Sequence, residues 1–243
     1  MKTPAYWGVS GFPIEHSLTP KIFNIVGEAL NLDTTKTIFI EARNIDEFNK
    51  NVQLLEGDLW ISVTSPLKHI IGEILKIPEL NVENSINQLI RIQGEWKGIN
   101  TDGCGFIRAA KYIGINPKES ILKIKGGGST ARSIAASWSE SGGKIIPIKG
   151  RRLLIDGPWN KSIIEDCYAD IAVDLDTEPG KVIEKVMKAN QTVTISYNEN
   201  SKIDNFALIM LVSQHLEAWS KIFTDNNSLE LPTVEFVLKR LFD

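Results

Sequence analysis

The sequence predicts an α/β fold built from two consecutive units with mostly parallel sheets. Short apolar runs rich in β-branched residues alternate with helical patterns along the whole chain, which is typical of α/β layers. Residues 120–152 read as a strand, a glycine turn, a helix and a second strand, the βαβ order of a nucleotide-binding half. The length of 243 residues suits one large domain or two small ones.

The first unit extends to about residue 102. Apolar alternation predicts strands at 5–11, 35–42 and 58–65, followed by two strands around a glycine-containing turn at residues 93–95. Helical spacing predicts helices at 19–30, 44–55 and 66–76. We expect Thr19 to cap the first of them with Pro20 at its first position, and Asn44 or Asp46 to cap the second.

The second unit begins with a predicted helix at 101–114 and continues with the βαβ segment. Two further strands are expected at 168–175 and 191–197. A long, largely apolar helix is expected at 204–223, and an amphipathic helix at 232–242 ends the sequence.

Composition excludes several function classes. The net charge is -3 and 23% of residues are charged, so neither nucleic acid nor a membrane surface is indicated as a partner. The three histidines are scattered and the two cysteines, Cys104 and Cys167, lack metal-ligand spacing, so we expect no metal site. No secretion signal and no membrane-spanning run is apparent, and we expect a cytoplasmic protein with reduced thiols.

The segment "GGGSTA" at 126–131 fits the dinucleotide-binding pattern G-x-G-x-x-A between a strand and a helix. Gly126 permits the tight turn, and Gly128 lets the backbone approach a pyrophosphate. The amides near Ser129 and Thr130, at the start of the helix, would face the phosphates. The alternative is a tight turn that binds no ligand.

A basic patch follows the second strand of the βαβ segment, where an acidic residue would grip the ribose 2′-hydroxyl of NAD. The chain instead carries Lys149, Arg151 and Arg152. Cationic side chains suit a 2′-phosphate, which favours NADP over NAD as the cofactor. The alternative is a solvated basic loop.

Short polar side chains follow several predicted strands of the first unit, where ligands bind in α/β folds. Taken singly they are ordinary: Thr19 fits a helix cap, and Lys68 fits a surface lysine. Together they suit a hydroxylated, carboxylated substrate, with a lysine for proton transfer and an aspartate to orient it. They are Ser17, Thr19, Thr64, Lys68, Asn87, Asn100, Thr101 and Asp102.

These motifs together resemble the shikimate dehydrogenase family. The matching stretches are "GFPIEHSLTP", "SVTSPLK", "SINQL", "GINTDGCGF", "GGGSTAR" and "MLVSQHLEAW", in the family's order over nearly the whole chain. The resemblance implies NADPH-dependent, reversible reduction of 3-dehydroshikimate to shikimate, a step of aromatic amino acid biosynthesis, by a monomer or homodimer. It also implies a substrate-binding domain (1–102 with 224–243), an NADP-binding Rossmann-like domain (103–223) and an active site in the cleft between them.

The resemblance implies a role for eight side chains. Lys68 matches the catalytic lysine, and Asp102 matches its aspartate partner. The others match substrate contacts: Ser17 and Thr19 for the carboxylate, Thr64 and Asn87 for hydroxyl groups, and Tyr197 and Gln214 for the substrate side of the site.

The second unit departs from the family pattern. Ser129 stands where a further glycine is usual, and "KGRR" replaces an Asn-Arg-Thr motif. "VDLDTEPG" replaces an Asn-Ala-Thr-Pro stretch near the nicotinamide and brings Asp174 and Asp176 to that neighbourhood. The connection from residue 152 to residue 168 is short, so one helix is expected to be reduced or missing.

Two other functions remain open at the level of sequence. One is a related dehydrogenase that uses quinate or another ring acid with NAD or NADP. The other is a protein that binds a ring acid without catalysis. Retention of both Lys68 and Asp102 argues against the second alternative.

Overall fold

The computed structural model describes residues 3–32, 35–77, 85–176, 187–223 and 230–243. The chain divides into two compact units, Met1–Thr101 with His215–Asp243 and Asp102–Gln214. Residues 177–180 of "VDLDTEPG" and position 224, where we expect the return to the first domain, lie outside the described residues.

The first unit contains a five-stranded mixed sheet. Its order is β2-β1-β3-β4-β5; β1 pairs in parallel with both β2 and β3, whereas β3–β4 and β4–β5 are antiparallel. The strands are β1 (Tyr6–Gly11), β2 (Lys36–Glu41), β3 (Leu59–Val63), β4 (Gln88–Ile92) and β5 (Glu95–Ile99). The predicted pair around a glycine turn is confirmed, and positive φ at Gln93 and Gly94 gives the I′ geometry that suits a two-residue hairpin.

Three helical segments accompany this sheet, and two differ from expectation. Helix α1 (Thr19–Ala29) has Leu18 at its N-cap, so the prediction that Thr19 caps it is wrong; Thr19 is already helical. Helix α2 (Ile45–Val52) is capped by Asn44, whose Oδ1 accepts from the Glu47 amide at 2.9 Å. The expected helix at 66–76 is instead a 3₁₀ turn, Leu67–His69, and the short α3 (Ile71–Ile74).

An aromatic cluster closes the core of the first unit around α1. Trp60 contacts Phe23 and Trp219 edge-on, with ring centroids 4.6 and 4.7 Å apart. Trp219 also stacks on Phe223 at 4.8 Å; Trp219 lies in the last turn of a long helix, and Phe223 directly follows it. Because these rings pack on Phe23 and Trp60, residues 215–223 group with the first unit, whereas the sequence analysis assigns them to the second domain.

The second unit contains a four-stranded parallel sheet in the order β7-β6-β8-β9. Helix α5 crosses from the central β6 to the edge strand β7, which is the predicted βαβ segment. The α/β prediction is therefore confirmed, with one mixed and one parallel sheet. The elements are α4 (Asp102–Tyr112), β6 (Ile121–Lys125), α5 (Ser129–Glu140), β7 (Lys144–Ile148), β8 (Ala169–Asp174), β9 (Ala189–Thr194) and α6 (Phe206–Ile222).

The connection from β7 to β8 is described throughout and contains no α-helix, as predicted from its length. It holds one 3₁₀ turn, Asn160–Ser162, and then adds an isolated parallel bridge between Ile163 and Ile145 of β7. Its start passes close to the glycine turn after β6, because a Cβ at Gly127 would lie 2.0 Å from the carbonyl oxygen of Leu153.

The chain ends in the amphipathic helix α7 (Val234–Phe242), capped by the Thr233 hydroxyl. Its buried face includes Val237, Leu238 and Leu241, and the Leu241 carbonyl accepts from Lys21 of α1 at 2.6 Å. Among the residues that the structure describes, we find no helix with the length and apolar character needed to cross a bilayer.

Candidate functional site

Four strand ends of the first unit meet at one edge of its sheet. The parallel strands β1 and β3 end side by side, with Ser10 opposite Val63. The antiparallel β4 begins at the same edge, since the Val63 amide donates to the Asn87 carbonyl at 2.8 Å. The Asn87 amide in turn donates to the carbonyl of Ile99, where β5 ends. The sheet therefore brings together the loops that carry the predicted substrate residues of this unit.

The loops after β1 and β3 are packed directly against each other. The Phe12 amide donates to the Ser65 carbonyl at 2.9 Å. Gly11 has φ +151°, and a Cβ there would lie 2.4 Å from Cγ2 of Thr64, so this position requires glycine. Both loops also contain a cis X-Pro bond, at Phe12–Pro13 and Ser65–Pro66.

Lys68 is held by its backbone in the turn that follows β3. The carbonyl of Thr64 accepts from the amides of Leu67 at 3.0 Å and Lys68 at 3.3 Å. The Lys68 carbonyl accepts from the amide of Ile86 at 3.0 Å, one residue before Asn87. Lys68 is partly buried. The structure thus brings Thr64, Lys68 and Asn87 into one neighbourhood, as the resemblance implies for a substrate site.

Asn87 joins the start of β4 to the chain beyond β5. It is 2% exposed, and its Oδ1 accepts from the Thr101 amide at 2.9 Å. Its Nδ2 lies 3.1 Å from the Thr101 hydroxyl. The neighbouring Asn100 is anchored similarly, since its Nδ2 donates to the Ser85 hydroxyl at 2.8 Å. These bonds fix the backbone immediately before Asp102.

Ser17 and Thr19 lie together at the start of α1 but differ in exposure. The Ser17 hydroxyl is partly accessible and accepts from the Thr19 amide at 3.3 Å. Thr19 is 4% exposed, and its hydroxyl lies 3.1 Å from Nε2 of His215, which is fully buried and packs on Phe23. Thr19 therefore has a structural partner that the sequence analysis did not anticipate.

Asp102 opens α4 in the second unit and is buried. Its Oδ2 accepts from the Thr130 hydroxyl at 3.0 Å, so a residue of the predicted nucleotide turn bonds the predicted catalytic carboxylate. The next amide, of Gly103, donates to the Ser133 hydroxyl at 2.9 Å. Helix α4 thus contacts the first turns of α5 through hydrogen bonds at its start.

The last two predicted substrate residues are also in the second unit. Gln214 lies on α6 against α4, and a Cβ at Gly105 would come within 2.5 Å of the Gln214 Cβ. Tyr197 follows β9 and is partly buried. Their contacts with a substrate stay a prediction.

The turn after β6 fits a bound phosphate in three respects. Gly126 has φ +107°, which favours glycine, and Gly128 is the N-cap of α5 without a side-chain cap. A Cβ at Gly128 would meet no described atom within 4 Å. Arg132, in the first turns of α5, has a buried Nε with no hydrogen-bond partner in the described ranges. A helix N-terminus with these properties suits the pyrophosphate of a dinucleotide.

The cations after β7 are all exposed, and one already binds a carboxylate. Lys149 and Arg152 are in solvent-accessible positions. The Arg151 amide donates to Oδ2 of Asp176 at 2.6 Å, and its Nε lies 3.6 Å from Oδ1. Asp174, by contrast, is 1% exposed and pairs with Lys125 at 2.7 Å.

Sequence reasoning missed several of these polar contacts. His215 stood in a matching stretch but was treated as an isolated histidine, since its partner Thr19 is 196 positions away. The Asp176–Arg151 contact had one visible signal, the unusual acidic pair in "VDLDTEPG". No group of three or more His, Cys, Asp or Glu side chains suited to a metal occurs within the described ranges.

Comparison with curated proteins identifies relatives with one shared name, although no family model matches the chain. A shikimate dehydrogenase (NADP(+)) of Alkaliphilus metalliredigens is 31% identical over 147 residues, which are 59% of this chain and 51% of that protein. That of Bacillus mycoides is 35% identical over 149 residues, 60% of this chain and 53% of that protein. The chain thus spans about half the length of these relatives, as the two shares show. A more distant one, from Desulforamulus reducens, is 27% identical over 224 residues, 86% of this chain and 74% of that protein.

Solved structures share the fold over almost the entire chain. Shikimate dehydrogenase 1 of Peptoclostridium difficile has a TM-score of 0.73 at 20% identity and covers 98% of this chain and 97% of its own. The Thermus thermophilus enzyme, in complex with NADP(H) and shikimate, scores 0.74 at 19% identity and covers 98% of both chains. An Ael1 enzyme from Pseudomonas putida scores 0.74 at 17% identity and covers 97% of both. The chain is thus similar in sequence to curated shikimate dehydrogenases, and the solved structures show that it has their fold.

Proposed function

We propose that this chain catalyses the reversible reduction of 3-dehydroshikimate to shikimate with NADPH. The observation that carries the proposal is the neighbourhood of Thr64, Lys68 and Asn87 at one edge of the first sheet. The backbone holds Lys68 there from both sides, through the Thr64 carbonyl and the Ile86 amide.

The substrate-binding roles follow the polarity of the side chains. Ser17 has the accessible hydroxyl at the start of α1 and is the better candidate of its pair for the substrate carboxylate. Thr19 supports that hydroxyl through its amide and is tied to His215. Thr64 and Asn87 supply the hydroxyl and amide groups that suit a polyhydroxylated ring. Tyr197 and Gln214 are proposed as substrate contacts on the strength of the family resemblance.

The proposed chemistry divides between the cofactor and the chain. When bound, NADPH supplies a hydride for the carbonyl carbon. The Lys68 ammonium donates a proton to the carbonyl oxygen as negative charge develops on it, which is general acid catalysis. In the reverse direction the neutral amine accepts that proton. Asp102 accepts a hydrogen bond from a substrate hydroxyl, with its carboxylate oriented by the Thr130 hydroxyl.

The test of this function is Lys68→Ala, assayed with shikimate and NADP⁺ in steady state. Loss of the proton donor should lower kcat by about 10²–10⁴-fold, with a much smaller change in shikimate affinity. Lys50→Ala, which removes an exposed lysine from the last turn of α2, is the matched control and should retain full turnover. Near-normal kcat for Lys68→Ala would contradict the role.

A second candidate is a dehydrogenase for quinate or another ring acid that accepts NAD. The contact between Asp176 and Arg151 favours it, because that cation is already bound to a carboxylate. Assays of shikimate and quinate, each with NADP⁺ and NAD⁺, separate the two functions. Reduction of neither cofactor, together with thermal stabilisation by a ring acid, would instead support a binding protein.

A further inference from the structure

Asp176 occupies an unusual position among the strand ends of the second unit. It follows β8, yet its carboxylate reaches the segment after β7, where it accepts from the Arg151 amide at 2.6 Å. A Cβ at Gly150 would lie 1.8 Å from its Oδ2, and a Cβ at Gly126 would lie 3.1 Å from its Oδ1. The carboxylate therefore lies between the glycine turn after β6 and the basic patch after β7.

The position of Asp176 is set by a partly buried ion pair. Oδ1 of Asp174 accepts from the Asp176 amide at 2.9 Å. The other oxygen of Asp174 binds Nζ of Lys125, the last residue of β6, at 2.7 Å. Asp174 is almost fully buried, so this anchor is not a solvent-exposed surface contact. Asp176 is thereby tied to β6, to β8 and to the segment after β7.

From this geometry we propose that Asp176 is a cofactor-specificity residue that competes with a 2′-phosphate for Arg151. In a dinucleotide-binding unit the end of the second strand faces the adenosine ribose. A carboxylate there accepts the ribose 2′-hydroxyl and repels a 2′-phosphate. The acidic group normally comes from the second strand itself, whereas here it comes from the loop after β8. The inference rests on the proposed use of a nicotinamide dinucleotide.

The consequence is that the protein binds NADP(H) only slightly more tightly than NAD(H). Lys149 and Arg152 remain exposed and can attract a 2′-phosphate. Arg151 can contribute only when the 2′-phosphate displaces Asp176 from it. The native protein therefore discriminates against NAD(H) less strongly than a site with three available cations.

Asp176→Asn tests the competition directly, because the amide oxygen can still accept from the Arg151 amide but the charge is gone. Binding of NADP⁺, NAD⁺, 2′,5′-ADP and 5′-AMP is measured by isothermal titration calorimetry. The variant should bind NADP⁺ and 2′,5′-ADP about tenfold more tightly, because Arg151 is then available to the 2′-phosphate. Affinity for NAD⁺ and 5′-AMP should stay the same or fall.

Two control variants isolate the effect. Glu140→Gln removes the same charge from an exposed position at the far end of α5 and should leave both affinities unchanged. Arg151→Ala in the Asp176→Asn background should abolish the gain for 2′-phosphates. If Asp176→Asn does not fold, Arg151→Ala in the native background is the variant that tests the inference. It should lower NADP⁺ affinity by less than about twofold, because Arg151 is already engaged; a loss of about tenfold would overturn the inference.

The outcomes distinguish this inference from the proposed function. Nucleotide binding by the native protein, with equal effects of Asp176→Asn on NADP⁺ and NAD⁺, overturns the specificity role and leaves the proposed function standing. Absence of binding of any of the four nucleotides to either protein overturns both. A selective gain for the two 2′-phosphorylated ligands supports both.

Discussion

Thr19 and Asn87 each use a polar side chain to hold another part of the first unit. Asn87 binds Thr101 through both its amide atoms, and Thr19 binds His215 inside the core. A buried polar group left without its partner costs about 1–3 kcal/mol, so such residues are sensitive to substitution whether or not they touch a ligand. Ser17, with its partly accessible hydroxyl, is free of that constraint.

Thr19→Val should therefore destabilise the protein by about 1–3 kcal/mol, because it leaves the buried His215 nitrogen without this partner. Urea unfolding measures the change, and Thr3→Val, at an exposed position, is the control. Ser17→Ala should instead raise the KM for shikimate with little loss of stability. Unchanged stability of Thr19→Val, combined with a large rise in KM, would show that its hydroxyl serves the substrate alone.

At this scale the sequence predicted which residues gather but not how they bond. Lys68, Thr64 and Asn87 were identified because they lie at the ends of predicted strands and within motifs that match the family. The bond from Thr19 to His215 joins residues 196 positions apart, and a capping role for Thr19 explained the local pattern equally well. Local patterns cannot distinguish these two uses of one hydroxyl.

Glycines set how closely the helices of the second unit approach. A Cβ at Gly103 would lie 2.3 Å from the backbone oxygen of Ser133 on α5. Gly105 is similarly close to the Gln214 backbone of α6. Helix α4 therefore packs on two neighbours through positions that have no room for a side chain, and its amide at Gly103 bonds the Ser133 hydroxyl.

Gly103→Ala should destabilise the protein by about 1–3 kcal/mol or more, because α4 must move away from the α5 backbone. Lys111→Ala, at an exposed position on the same helix, controls for helix propensity and should have little effect. Guanidinium unfolding measures the free energy of unfolding of both variants. Equal stability of Gly103→Ala and the native protein would mean that α4 can move away from α5 without a loss in the free energy of unfolding.

Element prediction succeeded where periodicity was long and failed where it was short. The eleven-residue α4 and the strands of both sheets follow their sequence patterns closely. The segment 66–76 has helical spacing, with Leu67 and Ile71 both buried, but it folds as a 3₁₀ turn and a four-residue helix. A 3₁₀ turn followed by a short helix buries the same apolar positions as one continuous helix. The apolar pattern alone therefore did not distinguish the two structures.

At the scale of the whole molecule, each of the two units has its own sheet and its own aromatic cluster. The first cluster is built around Trp60, Phe23 and Trp219, and the second includes Phe106, Trp138 and Phe206. The chain leaves the first unit after Thr101 and re-enters it at His215, so α6 contributes turns to both. The family resemblance assigned that helix entirely to the NADP-binding domain.

Calorimetric unfolding should accordingly show two transitions, since each unit carries its own sheet and aromatic cluster. NADP⁺ at about 100 times its Kd should stabilise one of them by about 2.7 kcal/mol, and shikimate should act mainly on the other. Scans with each ligand alone and with both check this. A single transition whose Tm rises equally with either ligand would show that the two units unfold as one.

The shortened connection after β7 also constrains how this sequence can diverge. Because the Leu153 carbonyl occupies the space above position 127, any side chain there collides with main-chain atoms rather than with a replaceable neighbour. Position 127 therefore has room only for glycine as long as residues 153 and 154 keep this path.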